Sequence, residues 1–348
     1  MSSFSKIKKA VASGEKKRLA RFYNINSMLG NDWAIFYIIL GARMTGKSYS
    51  VTDFLCNQKE DLKENVKNYW LRISETSTKA LLQNKAEKLV DPDLKRKYNL
   101  DLTTKGDSVY NKGKPFMEVI PLSKFAKTKG VGYFDKDYTG WYNIVLDEFQ
   151  LEQGEKRTSF SVLYNFIGMC ENLVRTTKHK VRVFLLGNTL EEASTILKAF
   201  EFLPEKPGRF YLKRKRCVID NLEVTDEYKR DRSGSIADIL GGSKLSNFTN
   251  ELKKSMKQID KSRCITPTAI IKFTKSPDEW YTVWDGKIIK KYNREKVLNV
   301  IAMRPYLGEL YTPERRQLIL DMYDSENLFF NNLITQAYFE ESLTFIRK

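Results

Sequence analysis

One histidine and four cysteines in 348 residues leave little room for imidazole or thiolate chemistry. His179 sits in the basic turn Thr176-Thr177-Lys178-His179-Lys180, where a solvated side chain is the plain reading, so His-based triads and metal cages are disfavoured. Cys56, Cys170, Cys217 and Cys264 lie far apart without a CxxC pair. That argues against a zinc site or a disulfide framework and for reduced thiols in a cytoplasm. Long apolar runs are also missing: the longest, around Ala34–Leu40, is far below the roughly 20 residues of a membrane span. The first residues are polar and Lys-rich with no apolar segment, so no signal peptide fits and a soluble, non-exported chain is expected. No NKxD guanine-reading motif occurs, which disfavours a GTPase.

What the chain does have is positive charge and enough apolar residues to fold. Lys and Arg number 60 against 43 acids, a net +17, which points to a polyanionic partner, nucleic acid first and an acidic membrane surface second. Hydrophobic residues make up 41% and aromatics 12%, enough for a packed interior. The length fits two domains, because a single core stops growing at about 250–300 residues.

Residues 1–21 are Lys-rich (Lys6, Lys8, Lys9, Lys16, Lys17, Arg18) and read as a basic arm or a solvated tail. The continuously apolar run from Trp33 to Leu40 suits a strand buried on both faces, and Val51, Phe54 and Leu55 then recur at helical spacing. Further buried strands are expected at Asn68–Ser74, Phe116–Leu122, Tyr142–Leu146 and Val181–Leu186, with helix plus loop over 76–113 and an exposed loop over Ser123–Gly140. Val162, Leu163, Phe166, Ile167, Cys170, Leu173 and Val174 mark one face of an amphipathic helix. Strands alternating with helices predict an α/β domain with a mostly parallel sheet. The basic run Lys213–Arg216 falls inside what reads as a strand over Phe210–Ile219. The expected organisation is a basic extension at 1–21, an α/β domain at 22–225, a polar Gly/Ser-rich linker or lid at 226–262, and a small α+β domain at 263–348. In that last part, strands are expected at Ala269–Phe273 and Trp280–Tyr292 around a turn at Asp285-Gly286, with helices from about Arg294 and Pro313.

The residues Gly41, Ala42, Arg43, Met44, Thr45, Gly46, Lys47 and Ser48 satisfy GxxxxGK[ST] between an expected strand and an expected helix. The glycines let backbone N–H groups face phosphate oxygens, and the helix N-terminus adds partial positive charge. Lys47 is expected to reach the β/γ-phosphates of ATP and the Ser48 hydroxyl to bind Mg²⁺. The strand Ile144-Val145-Leu146 ends in Asp147-Glu148, about a hundred residues later. Asp147 is expected beside the magnesium and Glu148 as the base that takes a proton from an attacking water. Asn188, ending the VRVFLLGN strand, is a candidate to face the γ-phosphate or simply to cap a turn.

Hydrolysis of this kind also calls for an arginine at the γ-phosphate. Arg43, Arg72, Arg157, Arg175 and Arg182 are candidates, and Arg175, after the amphipathic helix, is the favoured one to act in a neighbouring subunit's site. Lys124, Lys127 and Lys129 are candidate DNA contacts, with Tyr133 and Tyr138 nearby for stacking or packing, and Lys213–Arg216 form a second basic patch for DNA, RNA or protein. A nuclease of the RNase H type needs several carboxylates on strands. Ala269–Phe273 carries none, and Asp278 and Asp285 flank turns, so no nuclease activity is expected.

Taken together these residues resemble the genome-packaging (encapsidation) ATPases of phi29-like tailed phages, themselves related to large terminases. The resemblance rests on Phe22-Tyr23-Asn24 with Met28-Leu29 before the first strand, Gly41-Ala42-Arg43 opening the phosphate loop, and Arg72 on the second strand. Ile120-Pro121-Leu122-Ser123, IVLDEF at Ile144–Phe149 and the VRVFLLGN strand complete it. It is clear over about 22–220 and weak beyond. It implies an ASCE-type P-loop ATPase using ATP and Mg²⁺, and a homopentameric ring at the portal (connector) of a procapsid that drives double-stranded DNA inward. The setting it implies is the host cytoplasm, with transient binding at the portal vertex and no membrane. It further implies a helical linker and a C-terminal domain resembling RNase H without its catalytic acids. By position Lys47 and Ser48 match the phosphate and magnesium ligands, Asp147 the Walker B acid, Glu148 the catalytic glutamate, and Arg175 the trans-acting arginine. Some relatives use a packaging RNA. Other readings of the same motifs are a helicase, a partition ATPase, or a nucleic-acid-binding scaffold with a decayed site; the intact Lys47, Asp147 and Glu148 set argues against the last.

Overall fold

The computed structural model describes residues 22–60, 65–125, 138–149, 162–174, 180–188, 196–223 and 225–232. Beyond these it describes strands at 269–271, 280–284 and 287–292 and scattered positions over 317–336. The chain divides into two compact units, one of 1–196 with 206–251 and one of 197–205 with 252–348.

In the first unit a short helix α1 (Asn26–Leu29) precedes β1 (Phe36–Leu40), α2 (Lys47–Glu60) and β2 (Val66–Arg72). Then come α3 (Glu75–Ala86), α4 (Pro92–Lys97), and strands β3 (Leu102–Lys105), β4 (Ser108–Asn111) and β5 (Lys114–Pro121). A 3₁₀ turn at Leu122–Lys124 leads on to β6 (Trp141–Asp147), α5 (Val162–Val174) and β7 (Lys180–Gly187). The unit ends with β8 (Gly208–Leu212), β9 (Cys217–Asn221) and α6 (Asp226–Arg232). The nine strands form one sheet in the order β3-β4-β5-β2-β6-β7-β1-β9-β8. Six strands, from β5 to β9 in that order, run parallel, and β3, β4 and β8 are antiparallel additions at the two edges.

The parallel centre is built from continuous apolar runs because both of its faces are covered. Ile38, Ile39, Leu40, Leu71, Ile144, Val145, Leu146, Phe184 and Leu185 are all fully buried. Trp70 and Tyr142 are the largest side chains sealed inside. Two local signals start helices: the Ser74 hydroxyl accepts from the Ser77 N–H ahead of α3, and the Asp91 carboxylate accepts from the Asp93 N–H with Pro92 at the first turn.

Several expectations need correction. Trp33–Ile35 do not extend β1; the Ala34 N–H donates to the Asn31 carbonyl at 2.9 Å and closes a turn there. Residues 102–111, inside the stretch 76–113 expected as helix plus loop, form the β3–β4 hairpin. β3 has one buried residue in four, so no alternating pattern betrays it. The basic run is not inside a strand: Lys213–Lys215 make a 3₁₀ turn and Arg216 is left-handed (φ 48°), reversing the chain between β8 and β9. Four cations cannot sit in a buried strand, but a turn leaves them in water. In α6 the Tyr228 hydroxyl donates to the Arg43 carbonyl at 2.9 Å.

In the second unit β10 (Ala269–Ile271), β11 (Trp280–Trp284), β12 (Lys287–Tyr292) and β13 (Phe329–Phe330) form a sheet in that order. The first two pairings are antiparallel and the last is parallel. The strands at 269–271 and 280–292 fall where the sequence places them. The turn Asp285-Gly286 and the helix expected from Arg294 lie outside the described residues.

Candidate functional site

Parallel strands deliver their C-terminal ends to one edge of the sheet, and there the chain turns into helices whose N–H groups point outward. β1 ends at Leu40, and the loop Gly41–Gly46 carries the chain to the start of α2 at Lys47. Two glycines make this loop possible. A Cβ at Gly41 would lie 2.8 Å from the Leu222 Cβ. Gly46 adopts φ +85°, and a Cβ there would stand 2.9 Å from the Phe22 Cβ. Met44 is also left-handed (φ 64°), with its side chain 74% exposed.

Lys47 is 6% exposed, and its ammonium donates to the carbonyls of Gly41 and Ala42 at 2.8 Å each. Burial pulls this ammonium down to about 8, against the opposing pull of Asp147 and Glu148. The loop is therefore curled around its own lysine, and a group that satisfied the ammonium better than two carbonyls would win it. Beside it the Ser48 hydroxyl donates to Asp147 Oδ1 at 3.2 Å. Asp147, at the end of β6, is buried; desolvation pushes its carboxyl up, opposed chiefly by the Arg72 guanidinium.

Arg72 ends β2, next to β6 in the sheet, and reaches both acids. Its Nη2 lies 3.8 Å from Asp147 Oδ2, and its Nη1 donates to Glu148 Oε2. Glu148 is left-handed (φ 49°) and about half exposed, turned out of the strand toward solvent. Lys47, Ser48, Asp147 and Glu148 are thus brought together as expected. Gly41–Gly46 frame them, and Asn188 follows β7, the strand between β6 and β1. Arg72 was one of several candidate arginines, and only the adjacency of β2 to β6 shows which acids it serves.

A second cluster secures the loop from behind, and no motif announces it. The Tyr23 N–H donates to the Thr45 carbonyl at 3.0 Å, and the Ile25 N–H donates to Ser50 Oγ at 2.8 Å. The Tyr23 hydroxyl donates to Asp220 Oδ2 at 2.7 Å. Arg209 grips the same buried carboxylate through Nε (2.6 Å) and Nη2 (2.7 Å) and also reaches Ser27. Burial and Asp220 together push the Tyr23 phenol far up, so it stays a donor at any working pH. The segment 22–29 is thereby strapped to the phosphate loop on one side and to β8–β9 on the other.

Other expected residues fare differently. Lys124 Nζ pairs with Asp107 Oδ2 at 2.6 Å. For Tyr138 the packing alternative holds: it is buried against Tyr142, and its hydroxyl donates to the carbonyls of Asn65 and Trp141 at 2.9 Å. An apolar ring beside the sheet gains more from the core than from water, which the surrounding lysines had obscured. Arg43 and Arg182 are described: Arg43 lies in the phosphate loop, and Arg182 stacks over Trp141 at 3.4 Å. Arg175, Arg157, Lys127, Lys129 and Tyr133 lie outside the described residues. Among the described residues no group of three His, Cys, Asp or Glu could hold a metal ion. No helix among them is long and apolar enough to cross a membrane.

No curated protein sequence matches the chain. Two solved structures share its fold. One is the Phi-28 gp11 DNA packaging motor, with TM-score 0.59 and 14% identity, covering 91% of this chain and 96% of its own. The other is the bacteriophage Phi-29 viral genome packaging motor assembly, also at TM-score 0.59, with 18% identity and coverage of 93% and 99%. At those identities the likeness speaks for a mixed α/β architecture with a mostly parallel sheet. A sequence model of the podovirus DNA encapsidation protein (Gp16) family matches residues 17–264, and with more than two-thirds of its length inside that match the chain belongs to this family.

Proposed function

We propose that this chain is the ATP-driven motor that moves double-stranded viral DNA into a procapsid. The observation that carries the reading is the meeting of Lys47, Ser48, Asp147 and Glu148 at the C-terminal ends of neighbouring parallel strands, behind a loop curled around a buried ammonium. The donor set fits a magnesium–nucleoside triphosphate. Lys47, whose ammonium donates to two carbonyls of its own loop, passes to the β/γ-phosphates. Ser48 and Asp147, already in contact at 3.2 Å, offer a hydroxyl and a carboxylate oxygen to the cation. Bound there, Mg²⁺ would neutralise phosphate charge. Glu148, the more exposed acid, takes the proton of the attacking water as the bond between the β- and γ-phosphates breaks, releasing ADP and phosphate. Arg72 orients this carboxylate and keeps Asp147 anionic.

Family membership supports DNA as the cargo, and the description of the Phi-29 relative as a packaging motor assembly supports work within a larger complex. That complex is read as a homopentameric ring docked at the portal vertex in the host cytoplasm. A packaging RNA is a further candidate component, and Arg175 the arginine given to a neighbour. Residues 22–225 form the motor domain, 226–262 the linker, and 263–348 a domain resembling RNase H that lacks its acids and cuts nothing. The four-stranded sheet of that last part, with antiparallel and then parallel pairing, supports this assignment. The test is Glu148→Gln. It should retain ATP binding, followed by fluorescence of a labelled nucleotide, and lose hydrolysis by about 10²-fold or more. Normal turnover in that variant would sink the assignment of the base.

A further inference from the structure

The sheet has two poles. The phosphate site occupies the C-terminal ends of the parallel strands. The five residues of β1 at about 3.3 Å each put the opposite pole roughly 17 Å away. At that far pole β8 and β9 reverse through Lys213, Arg214, Lys215 and Arg216, all exposed, with no acid between Glu205 and Asp220. The turn is anchored rather than loose. The Arg216 carbonyl accepts from the N–H groups of Ile35 and Phe36 at 2.8 and 3.0 Å, and Arg216 Nε donates to the Trp33 carbonyl at 3.1 Å. An aromatic pair stands beside it: Tyr211 is 52% exposed, and its ring lies 6.3 Å from that of Trp33. Arg209, further along β8, is paired with Asp220.

We propose that the 213–216 turn is a contact site for the backbone phosphates of double-stranded DNA, separate from the nucleotide site. Clustered cations on a rigid tip, next to an exposed aromatic, match a ligand bearing one negative charge per about 1.7 Å of axis. The tip of a two-stranded ribbon suits the wide groove of B-form DNA, about 12 Å across, and not the deep narrow groove of A-form RNA. The choice of DNA as cargo rests on the packaging reading; the phosphate contact itself rests on the turn.

The test uses the full chain with Lys213→Ala, Arg214→Ala and Lys215→Ala combined; Arg216 is kept because it anchors the turn. Binding of a fluorescently labelled DNA duplex is titrated between about 50 and 200 mM salt. The variant should lose about tenfold or more in affinity, and its slope of log K against log salt should be shallower by roughly 3. Its affinity for a labelled ATP analogue should be unchanged, which also reports an intact fold. Should the triple change impair folding, the single Lys215→Glu variant gives the same comparison with a smaller loss. Duplex binding equal to wild type, in affinity and slope, overturns the proposal. A tenfold preference of the wild type for duplex RNA overturns the choice of DNA. Lys47→Ala gives the converse pattern, losing the nucleotide and keeping the duplex, so failure of the packaging chemistry and failure of this surface are told apart.

Discussion

At the residue scale, Lys47 shows what burial does to a charge. Its ammonium is held down to about 8 by desolvation, so near pH 8 about half of it is neutral. Phosphate oxygens would pull the proton back. Binding of ATP in EDTA at pH 8 should therefore take up a fraction of a proton. The measurement is the dependence of calorimetric binding enthalpy on buffer ionisation enthalpy, and below about pH 6.5, where Lys47 is already charged, the uptake should vanish. Arg72 acts in the opposite sense on Asp147, keeping a buried carboxyl from rising further. Arg72→Ala should lower kcat about tenfold or more and move the acidic limb of the kcat–pH profile to higher pH. An unmoved limb would mean that Asp147 does not depend on Arg72 for its charge. Both acids were legible in the sequence as a pair ending an apolar strand. Their arginine was one candidate among five, because pairing across β2 and β6 joins residues 75 and 76 positions apart in the chain.

At the scale of elements, the phosphate loop is shaped as much by what lies behind it as by its own glycines. Gly46→Ala would carry a Cβ at φ +85° toward the Phe22 Cβ, adding about 1–2 kcal/mol of backbone strain and displacing the 22–25 strap. Nucleotide affinity should fall by at least about tenfold, read by a labelled ATP analogue, while far-UV circular dichroism stays native. The strap was legible only as a short aromatic–polar segment ahead of β1. Tyr23 meets Asp220 across 197 positions, and no local pattern encodes a partner that distant. The β3–β4 hairpin escaped for a related reason: β3 and β4 each bury a single residue, so neither shows an apolar period. The central strands and the helix over Val162–Val174 declared themselves because burial demands continuous or periodic apolar residues there.

At the scale of the whole molecule, the proposed ring would divide its chemistry between copies of one chain. If Arg175 is donated across subunits, mixing Arg175→Ala protein with Glu148→Gln protein should restore a measurable share of the turnover that each lacks alone. Lack of rescue in the mixed ATPase assay would place the trans-acting group elsewhere. The core also has a chemical signature. Burial pushes the Cys217 thiol up to about 12, so iodoacetamide at pH 8 should leave it unmodified in the native protein and label it once the sheet unfolds. Peptide mass spectrometry across a urea series would follow this.

From the chain of residues alone came the parallel α/β plan, the phosphate loop and the acid pair. Each of these is local: a run of buried strand, a glycine turn, a strand end, all determined by neighbours in sequence. Tertiary structure alone decided that Arg72 spans both acids, that Tyr23, Arg209 and Asp220 brace the loop, that Tyr138 belongs to the core, and that the basic run is a turn at the far pole. Those outcomes depend on which strands lie side by side. Strand order is set by the packing of the whole sheet, and no short stretch of sequence contains it.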